Sequence, residues 1–208
     1  SRLIGRPADV APQPLRFVQC RMVTRSIAVF CGAASGTDPA FSDAAHALGV
    51  AIAASGNRLV YGGGSRGLMG AVAAGSLSRN GSITGVITRQ LVQKELAHPR
   101  VADMRVVETM HQRKMQIAQM ADAFVALPGG FGTLDELFEI LAWAQLRLHE
   151  KPVGLLDTEG FFTRLLEFLD HAGANGFLRL PHREFLVIDR DPRTLCDRLH
   201  ERLGVGAA

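Results

Sequence analysis

Short apolar runs alternate with helix-like segments along almost the whole chain, and this alternation constrains the fold more than any other feature. The runs are nearly continuous in Val, Ile and Leu, which is typical of strands buried on both faces. Alternating strands and helices predict βαβ units, and hence an α/β fold: a Rossmann-like doubly wound parallel sheet of about seven strands with helices on both faces. The predicted strands are 26–31, 58–61, 82–88, 104–107, 123–127, 152–156 and 185–188. The predicted helices are 39–54, 67–77, 110–120, 133–148, 160–172 and 192–203.

The N-terminal segment differs from the rest of the chain. Residues 1–21 contain three prolines, and four arginines against one aspartate. We predict a flexible extension over 1–21 and a single nucleotide-binding catalytic domain over 22–208. The extension accounts for the whole formal charge of +3, so the remaining chain is neutral. A protein that binds nucleic acid needs a clustered basic face, and therefore no nucleic-acid partner is expected.

The three cysteines, Cys20, Cys31 and Cys196, are widely spaced and form no CxxC pair. This pattern predicts neither a disulfide framework nor a zinc site and fits a reducing cytoplasm. No apolar run approaches the ~20 residues that a membrane-spanning helix needs. We expect a cytoplasmic protein with no membrane association and no bound metal.

Two glycine-rich turns each follow a predicted strand and open a predicted helix, at residues 62–67 and 128–133. Without a Cβ, the backbone of such a turn can approach an anion closely. The free amides and the dipole of the helix that follows favour a phosphate. Thr133 can add a hydroxyl donor and cap its helix. Tight turns that hold no ligand remain the alternative.

Neither turn matches a common nucleotide motif. GxxxxGK[ST] is absent, which argues against a Walker-type NTPase. The first turn offers no clean GxGxxG and no acidic residue for a ribose hydroxyl, which argues against a dinucleotide dehydrogenase. A mononucleotide or a sugar phosphate fits better.

Charged residues stand beside these turns. Glu136 lies one helical turn after Thr133, where it is either a catalytic group or an ordinary first-turn acid that complements the helix dipole. Arg113 and Lys114 lie near the start of a predicted helix, where basic side chains oppose the dipole. Their placement favours a ligand or an acidic partner, although a solvated basic patch is the alternative.

Three motifs together resemble the Lonely Guy (LOG) family of cytokinin riboside 5′-monophosphate phosphoribohydrolases. They are YGGGSRGLMG at 61–70, MHQRK at 110–114 and PGGFGTLDE at 128–136. The likeness continues through Trp143, His149 and residues 151–156, and covers about 27–203. Ala142 and Ala33-Ala34 depart from the family, which commonly has Thr and Ser there.

The resemblance implies a Rossmann-like homodimer whose active site lies near the subunit interface. It implies hydrolysis of the N-glycosidic bond of an (N6-substituted) adenosine 5′-monophosphate, without a cofactor, to free base and ribose 5-phosphate. By motif position, Arg113 and Glu136 are the catalytic pair, and Lys114 and Glu95 match further substrate contacts. The remaining predicted substrate- and phosphate-binding residues are Gly63, Gly64, Gly129, Gly130, Phe131, Gly132 and Thr133.

Two other functions are alternatives to this one. A non-catalytic carrier of a nucleotide or of the molybdenum cofactor, on the same fold, would not need the Arg113–Glu136 pair. Proteins of this kind are often labelled lysine decarboxylases, but a pyridoxal-phosphate enzyme needs a Schiff-base lysine with a pyridinium partner. None of the three lysines, Lys94, Lys114 and Lys151, has that sequence setting.

Overall fold

The computed structural model describes residues 24–94, 96–178 and 185–205. The predicted extension over 1–21, including Cys20, and the predicted site residue Glu95 lie outside the described residues. The strands are β1 (Ser26–Phe30), β2 (Arg58–Tyr61), β3 (Ile83–Thr88), β4 (Asp103–Val107), β5 (Ala123–Ala126), β6 (Val153–Leu156) and β7 (Leu186–Asp189). The helices are α1 (Pro39–Ala54), α2 (Gly67–Ser78), α3 (Arg89–Gln93), α4 (Met110–Met120), α5 (Phe131–Gln145), α6 (Thr163–Ala174) and α7 (Pro192–Val205).

The seven strands form one parallel sheet in the order β4-β3-β2-β1-β5-β6-β7. This confirms the predicted Rossmann-like α/β fold. From β1 the chain builds outward through β2, β3 and β4, then returns to the other side of β1 with β5. Ala28 in β1 is therefore in register with Val60 on one side and with Phe124 on the other. The direction of winding changes between β1 and β5, the place where such sheets bind ligands.

Two apolar cores lie on opposite faces of the sheet. Helices α1, α2 and α7 cover one face with side chains such as Leu48, Val72 and Leu199. Helices α4, α5 and α6 cover the other, where Ile117 and Leu137 are almost fully buried. Because both faces are covered, the strands read as continuous apolar runs in the sequence.

Three details differ from the prediction. The five-residue helix α3 was missed, since it is too short to show a helical period. Helix α6 begins at Thr163 because the preceding residues, Thr158–Gly160, form a separate 3₁₀ turn. Helix α5 begins at Phe131 and ends at Gln145, with Gly130 as its N-cap. The prediction that Thr133 caps this helix is therefore wrong, because Thr133 already lies in its first turn.

None of the helices in the described ranges is both long enough and apolar enough to cross a membrane.

Candidate active site

A cavity of about 580 Å³ opens at the switch point of the sheet, above the carboxyl ends of β1 and β5. The loops that follow these strands are joined by a hydrogen bond of 3.0 Å from the amide of Gly32 to the carbonyl of Pro128. Helices α4 and α5 supply the charged wall of the cavity. The residues that line it include Cys31, Gly32, Ala33, Ala34, Phe41, Gly62, Met69, Met110, Arg113, Lys114, Gly129, Gly130, Gly132, Thr133, Asp135, Glu136 and Phe161.

The second glycine turn presents the start of α5 to this cavity. The first amides of a helix have no partner within the helix, and the helix dipole makes this end positive. A Cβ built on Gly130 or Gly132 would meet no atom within 4 Å, so both glycines border open space. A Cβ on Gly129, in contrast, would overlap the hydroxyl of the buried Thr133. The turn therefore combines a tightly packed base with an open rim that can receive an anion.

Arg113 from α4 and Glu136 from α5 meet on the wall of the cavity. Arg113 Nη1 lies 3.1 Å from Glu136 Oε1, and the two side chains are only 10% and 12% exposed. The guanidinium is fixed further by a 2.9 Å hydrogen bond from Nε to the carbonyl of Val86 at the end of β3. Nη1 also lies 3.4 Å from the sulfur of Met110. The structure thus brings together the two residues that the sequence motifs placed 23 positions apart.

Burial raises the pKa of Glu136 above its ordinary value. The Arg113 guanidinium opposes this rise, while the nearby carboxylate of Asp135 adds to it. Because burial is the largest of these effects, the pKa of Glu136 lies above its ordinary value even though a cation is in contact with it. A carboxyl whose pKa is raised towards neutral pH is suited to accept and release a proton during catalysis.

Lys114 is bound to the acidic face of α5. Its Nζ lies 3.0 Å from Asp135 and 3.3 Å from Glu139. Because Lys114 neutralises these two carboxylates, Arg113 is left to pair with Glu136. Lys114 also lines the cavity, so its predicted contact with substrate stays a prediction.

The first glycine turn is built differently. The amides of Leu68 and Met69, at the start of α2, donate to the carbonyl of Gly32 at 3.1 and 3.4 Å. Gly63 has φ +75°, and a Cβ there would meet the side chains of Met104 and Ile87 at 2.9 and 3.1 Å. Gly64 forms a backbone bridge to Ala97.

Gly63 and Gly64 therefore lie outside the cavity lining, whereas their neighbour Gly62 lies on it. Phe131 also lies outside the lining, with 95% of its surface exposed at the start of α5. The predicted roles of Gly63, Gly64 and Phe131 in substrate binding stay predictions.

Sequence reasoning missed an aromatic pair on the cavity wall. The rings of Phe41 (α1) and Phe161 (after the 3₁₀ turn) lie edge to face with their centroids 6.0 Å apart. No local signal marks either residue, because Phe41 is one apolar position among several in α1 and Phe161 lies in the short connection before α6. Met110 belongs to the MHQRK motif, but the motif does not show its contact with Arg113, which depends on the helical turn of α4.

Among the described residues, no group of three or more His, Cys, Asp or Glu side chains is placed to hold a metal ion. The two described cysteines, Cys31 and Cys196, are buried and free.

The fold and the site define the class: a Rossmann-like α/β protein with a buried arginine–glutamate pair beside an open helix start. The family model described as "Possible lysine decarboxylase" matches residues 69–199. The chain is 44% identical to a probable cytokinin riboside 5′-monophosphate phosphoribohydrolase of Oryza sativa subsp. japonica, over 85% of this chain and 72% of that protein. It is also 44% identical to a cytokinin riboside 5′-monophosphate phosphoribohydrolase of Arabidopsis thaliana, over 85% of this chain and 82% of the relative. The chain therefore belongs to the LOG family.

Solved structures with the same fold are more distant in sequence. A molybdenum cofactor binding protein from Rippkaea orientalis is 24% identical with a TM-score of 0.64, covering 86% of this chain and 97% of that one. A molybdenum cofactor carrier protein from Chlamydomonas reinhardtii is 22% identical with a TM-score of 0.67, covering 88% and 99%. At these identities the likeness establishes the fold alone.

Proposed function

We propose that the protein is an N-glycosidase that hydrolyses (N6-substituted) adenosine 5′-monophosphates to the free, cytokinin-type base and ribose 5-phosphate. The observation that carries the proposal is the buried Arg113–Glu136 pair, which stands on the cavity wall one helical turn beyond the open start of α5. The names of the relatives that share 44% of the sequence support the same reaction.

The open start of α5 holds the 5′-phosphate. Backbone amides from Gly130 to Thr133 and the helix dipole attract the anion, and no side chain fills the space in front of Gly130 and Gly132. A fixed phosphate places the ribose against α5. Such orientation of the reacting group contributes several kcal/mol to the lowering of the barrier.

Glu136 acts on the anomeric carbon. As the bond from C1′ to the base nitrogen lengthens, positive charge develops on the sugar, and an adjacent carboxylate stabilises it. The base leaves with the bonding electron pair and takes up a proton, while a water molecule adds its oxygen to C1′ and gives up a proton. Glu136 is the group that holds this water and receives its proton, for which a raised pKa is favourable.

Arg113 has two roles in this scheme. It keeps part of the Glu136 population ionised by opposing the effect of burial on the pKa. Its planar guanidinium also offers further donors to a ribose or phosphate oxygen.

The lysines of the site do not suit Schiff-base chemistry. Among the described lysines, Lys114 alone lines the cavity, and two carboxylates hold its ammonium group. Lys151 donates to the carbonyl of Ala118 at the end of α4, and Lys94 is exposed after α3. The family description as a decarboxylase therefore finds no support in the placement of these side chains.

The direct test is to incubate the purified protein with isopentenyladenosine 5′-monophosphate and resolve the products by chromatography. We expect free isopentenyladenine and ribose 5-phosphate. The matched control is Glu136→Gln, which keeps the shape of the side chain and should lower kcat by at least ~100-fold while nucleotide binding persists. A near-normal kcat for Glu136→Gln would contradict the assigned role. Binding by the wild-type protein without any cleavage would instead identify a carrier.

We further propose that the protein is a homodimer joined through α5 and α6. Large apolar side chains on or next to these helices are exposed, and a groove of about 120 Å³ lies between them. The exposed residues include Phe138, Leu146, Phe168 and Phe177. A second copy would cover this face and bring the interface close to the cavity. Sedimentation equilibrium should give twice the chain mass, and Phe168→Asp should shift the protein towards monomer.

A cytoplasmic location is proposed on the evidence of the thiols. Cys31 and Cys196 are both buried and unpaired, as in proteins kept in a reducing compartment. Fractionation of the native cells should recover the protein with cytoplasmic markers.

A further inference from the structure

Gly62 follows β2 and lies directly beneath the Arg113 guanidinium. A Cβ built on Gly62 would overlap Arg113 Nη2, and it would lie 3.1 Å from Cζ and 3.2 Å from the sulfur of Met69. Real Cβ atoms do not approach other atoms so closely, so any side chain at this position would displace the guanidinium. The φ of Gly62 is not among the positive values, so its backbone conformation does not require glycine.

The guanidinium has little freedom to move aside. Its Nε donates to the carbonyl of Val86 and its Nη1 pairs with Glu136, and the planar group ties the positions of all three nitrogens together. The hydrogen bonds of the guanidinium to other described residues use Nε and Nη1, and both Arg113 and Gly62 line the cavity. With respect to the described residues, Nη2 above Gly62 is available to donate to a bound molecule.

We infer that Gly62 is a positioning residue: its missing side chain forms the slot that holds Arg113 Nη2 at the cavity wall and Nη1 on Glu136. This assigns to the first glycine turn a function that its sequence does not suggest. Through Gly62, the turn acts on the site by way of Arg113. The packing part of this inference is independent of the reaction, whereas its catalytic consequence rests on the proposed function.

A thermodynamic cycle tests the packing part without any activity assay. Gly62→Ala should lower the unfolding midpoint of the wild-type protein, and this loss should largely disappear in the Arg113→Ala background, where the slot is empty. If Gly62→Ala does not fold alone, the double variant Gly62→Ala/Arg113→Ala should fold. An equal loss in both backgrounds, or failure of the double variant to fold, would overturn the inference.

The kinetic arm uses isopentenyladenosine 5′-monophosphate across a pH series. Displacing Arg113 removes the cation that holds down the pKa of Glu136, so less Glu136 is ionised at a given pH. We expect Gly62→Ala to lower kcat/KM by about 100-fold, the scale of a small misplacement of a catalytic group. The acid limb of its pH profile should move to higher pH.

Gly154→Ala is the matched control. Gly154 is a buried glycine in β6, where an added Cβ would meet Leu195 and Leu199 side chains at 3.2 and 3.3 Å. It should cost stability and leave the pH profile unchanged. If Gly62→Ala behaves like Gly154→Ala, Gly62 is only a packing position and the inference fails. If the wild-type protein shows no cleavage, the proposed function fails, and the thermodynamic cycle still decides the packing claim.

Discussion

The two glycine turns look alike in the sequence and differ in what occupies the start of the helix behind them. At the first turn, the carbonyl of Gly32 accepts hydrogen bonds from the first amides of α2. At the second, Gly130 and Gly132 border open space in the cavity. The first amides of α2 are thus hydrogen-bonded within the protein, whereas the start of α5 remains available to a ligand.

Two glycines of the first turn are required by the backbone and its packing, whereas two of the second turn are not. Gly63 and Gly67 have φ of +75° and +58° and are surrounded by protein atoms, so the fold requires them. Gly130 and Gly132 have neither constraint. Under the proposed function, these two glycines allow the phosphate to approach the backbone.

The largest effect is expected at Gly67. A Cβ there would overlap the backbone of Ala33, and the positive φ adds a conformational cost. Together these predict a loss of about 2–4 kcal/mol in the free energy of unfolding for Gly67→Ala. Urea denaturation measures it. Gly130→Ala, with no atom within 4 Å of the new methyl, is the contrasting variant and should lose no more than about 1 kcal/mol, the cost of placing alanine at an N-cap. Similar losses for the two variants would remove the distinction between the turns.

Arg113 connects the two turns, since it lies over Gly62 and pairs with Glu136. We expect Arg113→Ala to lower kcat/KM by about 100-fold, which corresponds to losing one or two charge-assisted hydrogen bonds. Burial raises the pKa of Glu136 and Arg113 opposes that rise, so removing Arg113 must raise the pKa further.

The pH profile shows whether this sign is right. Activity needs ionised Glu136 and declines as pH falls through its pKa, so the acid limb of wild-type kcat/KM should lie above the usual range for glutamate. In Arg113→Ala that limb should lie higher still. A change in thermal stability with no change in rate or pH profile would show that Arg113 is a structural residue only.

A feature of this molecule could be predicted from the sequence when the residues that form it are close together along the chain. The apolar runs were enough to predict the sheet, because burial of a strand on both faces leaves a local pattern. The charged pair came from motif resemblance, because nothing local relates a residue of α4 to one of α5. The hydrogen bonds from the first amides of α2 to the carbonyl of Gly32 also join residues that are distant in sequence. Without these bonds, the two glycine turns could not be distinguished.

The electrostatics of Glu136 were out of reach for the same reason. Its side chain is buried where α5 meets Arg113 of α4, so its desolvation depends on a contact between two separate helices. The sequence motifs indicated that Arg113 pairs with Glu136, but they did not indicate how deeply Glu136 is buried. The direction of the pKa shift could therefore not be predicted from the sequence.

The smallest effect in the comparison is at Gly132, where stability and function should move in opposite directions. Gly132→Ala places a methyl in open space at the start of α5 and should stabilise the protein by about 0.4–1 kcal/mol. The same methyl obstructs the phosphate, and KM should rise by about 10-fold, the equivalent of one weakened charge-assisted hydrogen bond.

Gly173→Ala is the matched control for Gly132→Ala. Gly173 also borders open space, but it lies in α6 away from the cavity. It should stabilise the protein to a similar degree with unchanged kinetics. Equal kinetics for the two variants would mean that the open rim of the second turn does not contact the substrate.

The most direct test of the account is the preference of the enzyme for the phosphate itself. It compares kcat/KM for isopentenyladenosine, its 5′-monophosphate and its 5′-triphosphate. Two charge-assisted bonds from the start of α5 predict a preference of ~100-fold or more for the monophosphate over the nucleoside. The triphosphate should also be a poor substrate, because the carboxylates of Asp135 and Glu136 line the same cavity and disfavour additional negative charge. Equal cleavage of nucleoside and monophosphate would mean that the second glycine turn is only a turn, and would contradict the proposed reaction.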